Sequence, residues 1–223
     1  MPQTDGSERI PTARYPFHVM TKPSGSDCNL ACSYCFYLEK ETLYPETRGM
    51  RMSEAILERH VRDQIAAQPG SSVNFAWQGG EPTLMGLEFF RKAVELQKRY
   101  AGGKHITNAF QTNAILLNDA WGRFFKEHEF LVGVSIDGPK ALHDGFRVNK
   151  GGRSTFEQVM AGIQVLKEHG VEFNTLTCVH RKNAQHPVEV YQFLREAGSG
   201  YIQFIPIVER AAGPDARDLG LQL

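Results

Sequence analysis

Short β-rich runs of apolar residues alternate with longer amphipathic segments along most of the chain. The β-rich runs lie at 17–20, 73–77, 106–111, 130–136, 172–179 and 201–207. The helical segments between them lie at 53–68, 86–101, 118–129, 154–170 and 186–198. Alternation of helices with near-continuous apolar strands predicts a parallel sheet built from βα units.

The segment 154–170 shows the clearest helical periodicity in the sequence. Its apolar residues recur at three- and four-residue spacing, which places them on one face of a helix: Phe156, Val159, Met160, Ile163 and Leu166. Ser154 followed by Glu157 is typical of a capping box at the start of a helix. Gly170 follows the end of the periodic segment, where glycine commonly terminates a helix.

Six strands with five intervening helices predict an α/β fold, a partial (β/α)6 TIM-like barrel rather than a doubly wound sheet. A complete eight-stranded barrel needs about 250 residues, and this chain of 223 residues has used its length after six strands. We therefore expect a loose lead-in at 1–16, a partial barrel at 17–208 and an irregular tail at 209–223.

Segments of unusual composition follow the predicted strands, at the end where such barrels build active sites. A cysteine-rich loop follows the first strand, and "QGGEP" (78–82) follows the second. "QTN" (111–113) closes the third strand, and "SIDG" (135–138) closes the fourth. Because the carboxyl ends of parallel strands meet at one end of a barrel, we expect these segments to surround a single site.

Composition and charge exclude some classes of function. Lys+Arg and Asp+Glu both number 25, so no basic excess indicates binding to nucleic acid. No apolar run approaches the roughly 20 residues that a membrane span needs, and the N-terminus lacks the apolar region of a secretory signal. We therefore expect a cytoplasmic protein with neither a nucleic-acid partner nor a membrane partner.

Three of the four cysteines, Cys28, Cys32 and Cys35, lie close together in the first loop. In a reducing compartment such clustering is more typical of a metal site than of disulfides. A structural zinc site needs four ligands, and neither His18 nor His60 supplies one at a fitting spacing. A ferredoxin run is C-x2-C-x2-C-x3-C, whereas the spacing here is C-x3-C-x2-C. The third interpretation is a [4Fe–4S] cluster held by three thiolates, with one iron open to another ligand.

The motif Cys28-x3-Cys32-Ser33-Tyr34-Cys35 resembles the signature of the radical S-adenosylmethionine (SAM) superfamily. The resemblance implies that the amino and carboxylate groups of SAM bind the open iron. It also implies that reductive cleavage of SAM yields a 5′-deoxyadenosyl radical, which removes hydrogen from a substrate. The predicted cofactors are therefore one [4Fe–4S] cluster and SAM.

The same resemblance implies SAM-binding roles for residues of several loops: Tyr34, Gly79, Gly80, Glu81, Ser135, Arg147 and Val208. Paired glycines permit close approach of a ligand to the backbone, and the Glu81 carboxylate can accept from an ammonium group. Without the resemblance, the glycines suit a tight turn, Arg147 a solvated surface cation and Val208 an apolar strand. Cys178 stands alone in the fifth strand, which favours a small buried hydrophobe over a nucleophile.

Longer segments resemble the anaerobic sulfatase-maturating enzymes, over roughly residues 15–210. Examples are "FAWQGGEPTLMGLEFF" (75–90) and "LVGVSIDGPKALHDGFRVNKGGRSTFEQVM" (131–160). The resemblance implies an oxidoreductase that converts a Cys or Ser of a sulfatase active-site peptide to Cα-formylglycine, with Gln78 as a contact for that peptide. It implies two partners, the sulfatase polypeptide and an electron donor such as a ferredoxin or flavodoxin.

The chain also departs from this family. Relatives continue into a C-terminal domain that binds two auxiliary [4Fe–4S] clusters and carries the acidic residue that acts as the base, so we expect a truncated form whose base is unassigned. Ala114 stands where relatives tend to show Gly. Two alternatives stay open: another peptide-modifying radical SAM enzyme, and a remnant that binds iron–sulfur or zinc without catalysis.

Overall fold

The computed structural model describes residues 10–37, 50–198 and 200–208. The strands are β1 (Met20–Thr21), β2 (Ser72–Trp77), β3 (His105–Thr112), β4 (Leu131–Ser135), β5 (Phe173–Val179) and β6 (Tyr201–Pro206). The helices are α1 (Glu54–Ala67), α2 (Leu87–Tyr100), α3 (Asp119–Glu127), α4 (Lys140–His143), α5 (Phe156–Glu168) and α6 (Pro187–Glu196). The predicted tail and residues 1–9 of the predicted lead-in lie outside the described residues.

The strands form one parallel sheet in the order β1-β2-β3-β4-β5-β6. Ala76 on β2 and Gln203 on β6 line the same cavity, so the sheet curls toward a barrel. Within the described ranges β6 makes no pairing with β1, and the barrel stays open between these two edges. The predicted α/β partial barrel is confirmed.

The two faces of the sheet differ in chemistry, because successive side chains along a strand point to opposite faces. Large apolar side chains on the outer face pack against the helices: Val73, Phe75, Trp77, Phe110, Val132 and Val134. Most side chains on the inner face around a cavity are small or polar: Ala76, Gln78, Gln111, Gly133, Asn174 and Gln203. Leu131 and Leu176 are the large apolar exceptions. The prediction of near-continuous apolar strands therefore holds for the outer face, while the inner face encloses space.

The core between sheet and helices is rich in aromatic rings that join α2, β3 and α3. Phe110 of β3 lies 4.9 Å from Phe90 of α2 and 5.0 Å from Phe125 of α3, measured between ring centroids. Trp121 of α3 contacts both Phe90 and Phe110, with centroids 5.7 Å away in each case. Tilted and edge-on pairs at these distances add to the free energy of burial, so the strands that carry the site rest on a rigid layer.

The helices begin where the sequence offers capping side chains. Ser53 caps α1 by accepting a hydrogen bond from the N–H of Ile56 at 3.3 Å. Asn118 caps α3 in the same way, with the N–H of Trp121 at 3.2 Å. Among the helices that the structure describes, none is long and apolar enough to cross a membrane.

The start of α5 differs from the prediction. Its N-cap is Thr155, which makes no capping hydrogen bond through its side chain. Instead, Oδ1 of Asp144 accepts hydrogen bonds from two backbone N–H groups at the start of the helix, both at 3.0 Å. Oδ2 of Asp144 accepts from the Ser154 hydroxyl at 2.5 Å, and Glu157 pairs with a lysine at 2.8 Å. The predicted capping box of Ser154 and Glu157 is wrong, because a carboxylate from the preceding loop occupies that place.

Candidate functional site

The loops that follow the first four strands meet around a cavity of about 450 Å³ at the carboxyl ends of the strands. Its walls carry all four cysteines: Cys28, Cys32, Cys35 and, from β5, Cys178. They also carry the seven residues predicted to bind SAM: Tyr34, Gly79, Gly80, Glu81, Ser135, Arg147 and Val208. The structure therefore brings together every residue that the sequence predicted for the cluster and SAM.

Gln78 lies outside this cavity. It lines a second cavity, of about 180 Å³, that lies deeper on the inner face of the sheet between β2 and β6. Gln111 lines both cavities and therefore stands between them. The predicted peptide contact is thus a neighbour of the cofactor cavity rather than part of its wall.

The cysteine loop is held in place by the segment that carries Arg147. The N–H of Ala31 donates to the carbonyl of Val148 at 2.8 Å, and the N–H of Ser33 donates to the carbonyl of Phe146 at 3.0 Å. This pairing brackets Arg147, whose side chain enters the cavity beside the cysteines. Arg147 is buried, so its interpretation as a solvated surface cation does not fit the structure.

Burial and local hydrogen bonds determine the protonation state of the cysteine thiols. Burial raises the pKa of Cys28 to about 12 and that of Cys32 to about 11. The N–H of Leu30 donates to Sγ of Cys28 at 3.4 Å, and Nδ2 of Asn113 lies 3.8 Å from the same sulfur. Both thiols are therefore protonated at neutral pH, and a bound metal would replace their protons.

The donor set fits an iron–sulfur cluster. Three thiols lie on one cavity wall, and soft sulfur donors are the ligands that such clusters prefer. Among the described residues, no three His, Cys, Asp or Glu side chains converge tightly enough, as they stand, to hold a single metal ion. A [4Fe–4S] cluster takes each cysteine thiolate on a different iron, so it does not need three side chains to converge on one ion.

The two glycines of the "QGGEP" loop allow close packing against the cysteine loop. The N–H of Gly80 donates to the carbonyl of Gly25 at 2.9 Å, and the N–H of Glu81 donates to the carbonyl of Asp27 at 2.8 Å. A Cβ at Gly80 would lie 2.1 Å from the Asp27 carbonyl oxygen, and one at Gly79 would lie 2.8 Å from the Gly25 oxygen. In the structure, glycine is needed at these two positions so that the two loops can pack together, whereas the sequence predicted that glycine allows close approach of a ligand.

We expect Gly80→Ala to destabilise the protein by about 1–3 kcal/mol, because the new methyl group overlaps backbone atoms that cannot rotate away. Urea denaturation of the wild type and the variant measures this difference. Gly70→Ala is the matched control, since the nearest atom to its Cβ is 4.0 Å away. A Gly80→Ala variant as stable as the Gly70→Ala variant would contradict the tight contact between the two loops.

Glu81 is buried and saturated with hydrogen bonds. Its Oε1 accepts from the N–H of Thr83 at 3.0 Å, from the Thr83 hydroxyl at 2.7 Å and from the Thr112 hydroxyl at 2.8 Å. Its Oε2 accepts from the N–H of Asn113 at 2.7 Å. Burial raises the pKa of Glu81, and these four hydrogen bonds oppose the rise. The carboxylate therefore joins the loops after β2 and β3, and its contact with SAM stays a prediction.

A buried ion pair fixes the charge in the cavity. Nε of Arg147 donates to Oδ2 of Asp137 at 3.0 Å, and the hydroxyl of Tyr34 donates to the same oxygen at 2.5 Å. Oδ1 of Asp137 accepts from the N–H of Cys178 at 3.0 Å. Burial is the largest single effect and lowers the pKa of Arg147, but the Asp137 carboxylate together with Tyr34, Cys32 and Cys178 outweighs it and holds the pKa above its ordinary value. Arg147 is therefore a permanent cation beside the cysteine loop.

Four residues of this site received no functional role from the sequence: Asp137, Gln111, Asn113 and Cys178. In the sequence, Asp137 suits the first position of an Asp-Gly turn. Its position just after the end of a strand was the feature that could have indicated a functional side chain. Gln111 and Asn113 belong to the "QTN" segment that the sequence located at the site without assigning roles. Cys178 also lines the cavity, with its sulfur 3.8 Å from Nη2 of Arg147.

A loop of three thiols beside a cavity at the carboxyl ends of parallel strands is typical of a metal-binding protein with a partial α/β barrel. The chain belongs to the radical SAM superfamily, whose family profile matches residues 23–194. Proteins of this superfamily use a [4Fe–4S] cluster and SAM, and these are the cofactors of this chain. The superfamily and the cofactors predicted from the cysteine motif are confirmed.

Within this superfamily the chain resembles anaerobic sulfatase-maturating enzymes. It is 50% identical over 195 residues to a serine-type anaerobic sulfatase-maturating enzyme from Bacteroides thetaiotaomicron, covering 87% of this chain and 47% of that protein. It is 38% identical over 192 residues to a cysteine-type enzyme from Clostridium perfringens, covering 85% of this chain and 51% of that protein. The chain therefore spans about half the length of these relatives.

A solved structure supports the same relationship. The structure described as native anSMEcpe with bound AdoMet and Cp18Cys peptide superimposes with a TM-score of 0.83 and 36% sequence identity. The match covers 93% of this chain and 55% of the other. The predicted resemblance to the sulfatase-maturating family is confirmed over this part of the relatives.

Proposed function

We propose that this chain uses a [4Fe–4S] cluster and SAM to oxidise a side chain of a sulfatase polypeptide to Cα-formylglycine. The observation that carries this proposal is the meeting of the cysteine loop, the Gly-Gly-Glu segment, Ser135 and Arg147 at one cavity. When bound, the cluster and SAM supply a 5′-deoxyadenosyl radical that removes a hydrogen atom from the substrate.

Different residues of the cavity bind the cluster, the carboxylate of SAM and its adenine ring. Cys28, Cys32 and Cys35 hold the cluster through their thiolates. Arg147, fixed by Asp137, offers guanidinium N–H groups to the carboxylate of SAM. Val208, which is 78% exposed at the edge of the cavity, offers an apolar surface to the adenine ring.

The substrate and its target residue follow from the relatives. The identity to the serine-type relative exceeds the identity to the cysteine-type relative, which favours a serine as the oxidised residue. Gln78, in the adjacent cavity, is proposed to contact the peptide. The relatives are about twice as long as this chain, and the base that accepts the substrate proton stays unassigned. The ferredoxin or flavodoxin donor and the cytoplasmic location stay predictions from the sequence.

Anaerobic reconstitution of the full chain with iron and sulfide, followed by SAM and dithionite, tests the proposal. The quantities to measure are 5′-deoxyadenosine and aldehyde in the presence of sulfatase peptides that carry Ser, Cys or Ala at the target position. We expect 5′-deoxyadenosine to form, and the Ser peptide to increase its yield more than the Cys or Ala peptide does.

Each other outcome identifies a different alternative. Formation of 5′-deoxyadenosine that no sulfatase peptide stimulates would indicate another peptide-modifying radical SAM enzyme. An intact cluster without 5′-deoxyadenosine would indicate an iron–sulfur protein without catalysis. One zinc per chain and no labile sulfide would overturn the radical chemistry altogether.

A further inference from the structure

Gln111, near the end of β3, connects the two cavities of the inner face and contacts the neighbouring strand. Its Nε2 donates a hydrogen bond to Oγ of Ser135 on β4 at 2.9 Å. Both side chains line the cofactor cavity, and Gln111 also lines the 180 Å³ cavity. The proposed SAM-binding hydroxyl is thus tied to a carboxamide that the proposed reaction does not use.

Gly133 provides the room for this carboxamide. It pairs with Gln111 in the register of β3 and β4, so a side chain at 133 would point to the same face of the sheet. A Cβ at this position would lie 2.1 Å from Oε1 and 3.1 Å from Cδ of Gln111. Even an alanine at 133 would therefore push the carboxamide away from β4 and from Ser135.

The direction of this hydrogen bond determines what Ser135 can offer to a ligand. A serine hydroxyl has one O–H donor and two acceptor lone pairs. Because Nε2 of Gln111 uses one lone pair, the O–H of Ser135 is left to donate into the cavity. The groups of SAM that can accept such a bond are its carboxylate, the oxygens of its ribose and the ring nitrogens of its adenine.

We propose that Gln111 is a positioning residue that holds Ser135 as a hydrogen-bond donor to SAM, in space that Gly133 leaves open. This inference rests on the proposed SAM site. It predicts that the affinity for SAM depends on the amide of Gln111, although Gln111 acts through the hydroxyl of Ser135.

Two substitutions test the donor role. Gln111→Met keeps most of the side-chain volume and removes the donor. Gln111→Glu replaces the donor with an acceptor, to which the Ser135 hydroxyl would then donate instead of donating to SAM. We expect the dissociation constant for SAM, measured by equilibrium dialysis on the reconstituted chain, to rise about three- to tenfold for Gln111→Met. We expect Gln111→Glu to raise it further.

Cluster content and the thermal unfolding midpoint of Gln111→Met should match the wild type, since a purely structural role would change them. Gln164→Met is the matched control, because Gln164 is exposed on α5 and its amide bonds to Glu168. This control should leave the affinity for SAM unchanged.

Ser135→Ala separates the inference from the proposed function. If Gln111 acts through Ser135, Gln111→Met should weaken binding in the wild type and have no effect in the Ser135→Ala background. Additive losses from the two substitutions, or a loss in Ser135→Ala with no loss in Gln111→Met, would overturn the role of Gln111. A wild-type chain that holds its cluster but binds no SAM would instead contradict the proposed function.

Discussion

A variant with Cys28, Cys32 and Cys35 all replaced by alanine will bind no iron–sulfur cluster, and its formation of 5′-deoxyadenosine will fall to background. Alanine offers no ligand, so the loop keeps no thiolate for iron. The fold should survive, because backbone hydrogen bonds hold the loop and the aromatic core lies on the outer face of the sheet. Iron and labile sulfide per chain, 5′-deoxyadenosine yield and circular dichroism measure these three effects.

Cys178→Ala is the matched control for this variant. Cys178 lines the same cavity but comes from β5, outside the cysteine motif. We expect Cys178→Ala to keep the iron and sulfide content of the wild type. Wild-type iron content in the triple variant, or an equal loss of iron in Cys178→Ala, would show that the motif does not hold the cluster.

Local patterns predicted most of the sheet. The strands β2 to β6 begin and end within one residue of the predicted runs, because short runs rich in β-branched, aromatic and other apolar residues, separated by helical segments, are visible in the sequence. The first strand was predicted at 17–20 but pairs with β2 at Met20 and Thr21. An apolar run alone does not show which of its residues find a partner strand.

The cofactor site was predictable where a motif lies within one loop, and less so where distant segments meet. Cys28, Cys32 and Cys35 share a spacing that is visible in the sequence. By contrast, the contact of Gly80 with Asp27 and the capping of α5 by Asp144 join residues that no periodicity relates.

The departure from the family at Ala114 lies at a backbone position with positive φ. The structure places Ala114 at φ +64°, in the left-handed region that glycine adopts without steric cost. A glycine at this position in relatives is what such a turn favours. Its Cβ and carbonyl pack against Gly162 of α5, where an added Cβ would lie 2.2 Å from the Ala114 oxygen. The sequence shows this departure, but its steric cost becomes visible only in the backbone conformation of Ala114.

Asp137→Ala will destabilise the protein by about 3–5 kcal/mol, because it leaves the guanidinium of Arg147 buried without its counter-ion. The Asp137 side chain is fully buried and that of Arg147 is 8% exposed, so water replaces little of the lost interaction. The same change removes the acceptor of the Tyr34 hydroxyl and of the Cys178 N–H. Urea denaturation followed by circular dichroism gives the free energy of unfolding.

Two further variants distinguish the cost of leaving Arg147 unpaired from the cost of lost packing around Asp137. Asp63→Ala removes exposed ion pairs with two arginines of α1, and we expect it to cost less than about 1 kcal/mol. Arg147→Met in the Asp137→Ala background removes the unpaired charge and should restore at least about 1 kcal/mol. That double variant should still bind SAM poorly, since it lacks the guanidinium. Equal stability of the single and double variants would show that packing around Asp137, rather than its charge, holds this side of the cavity together.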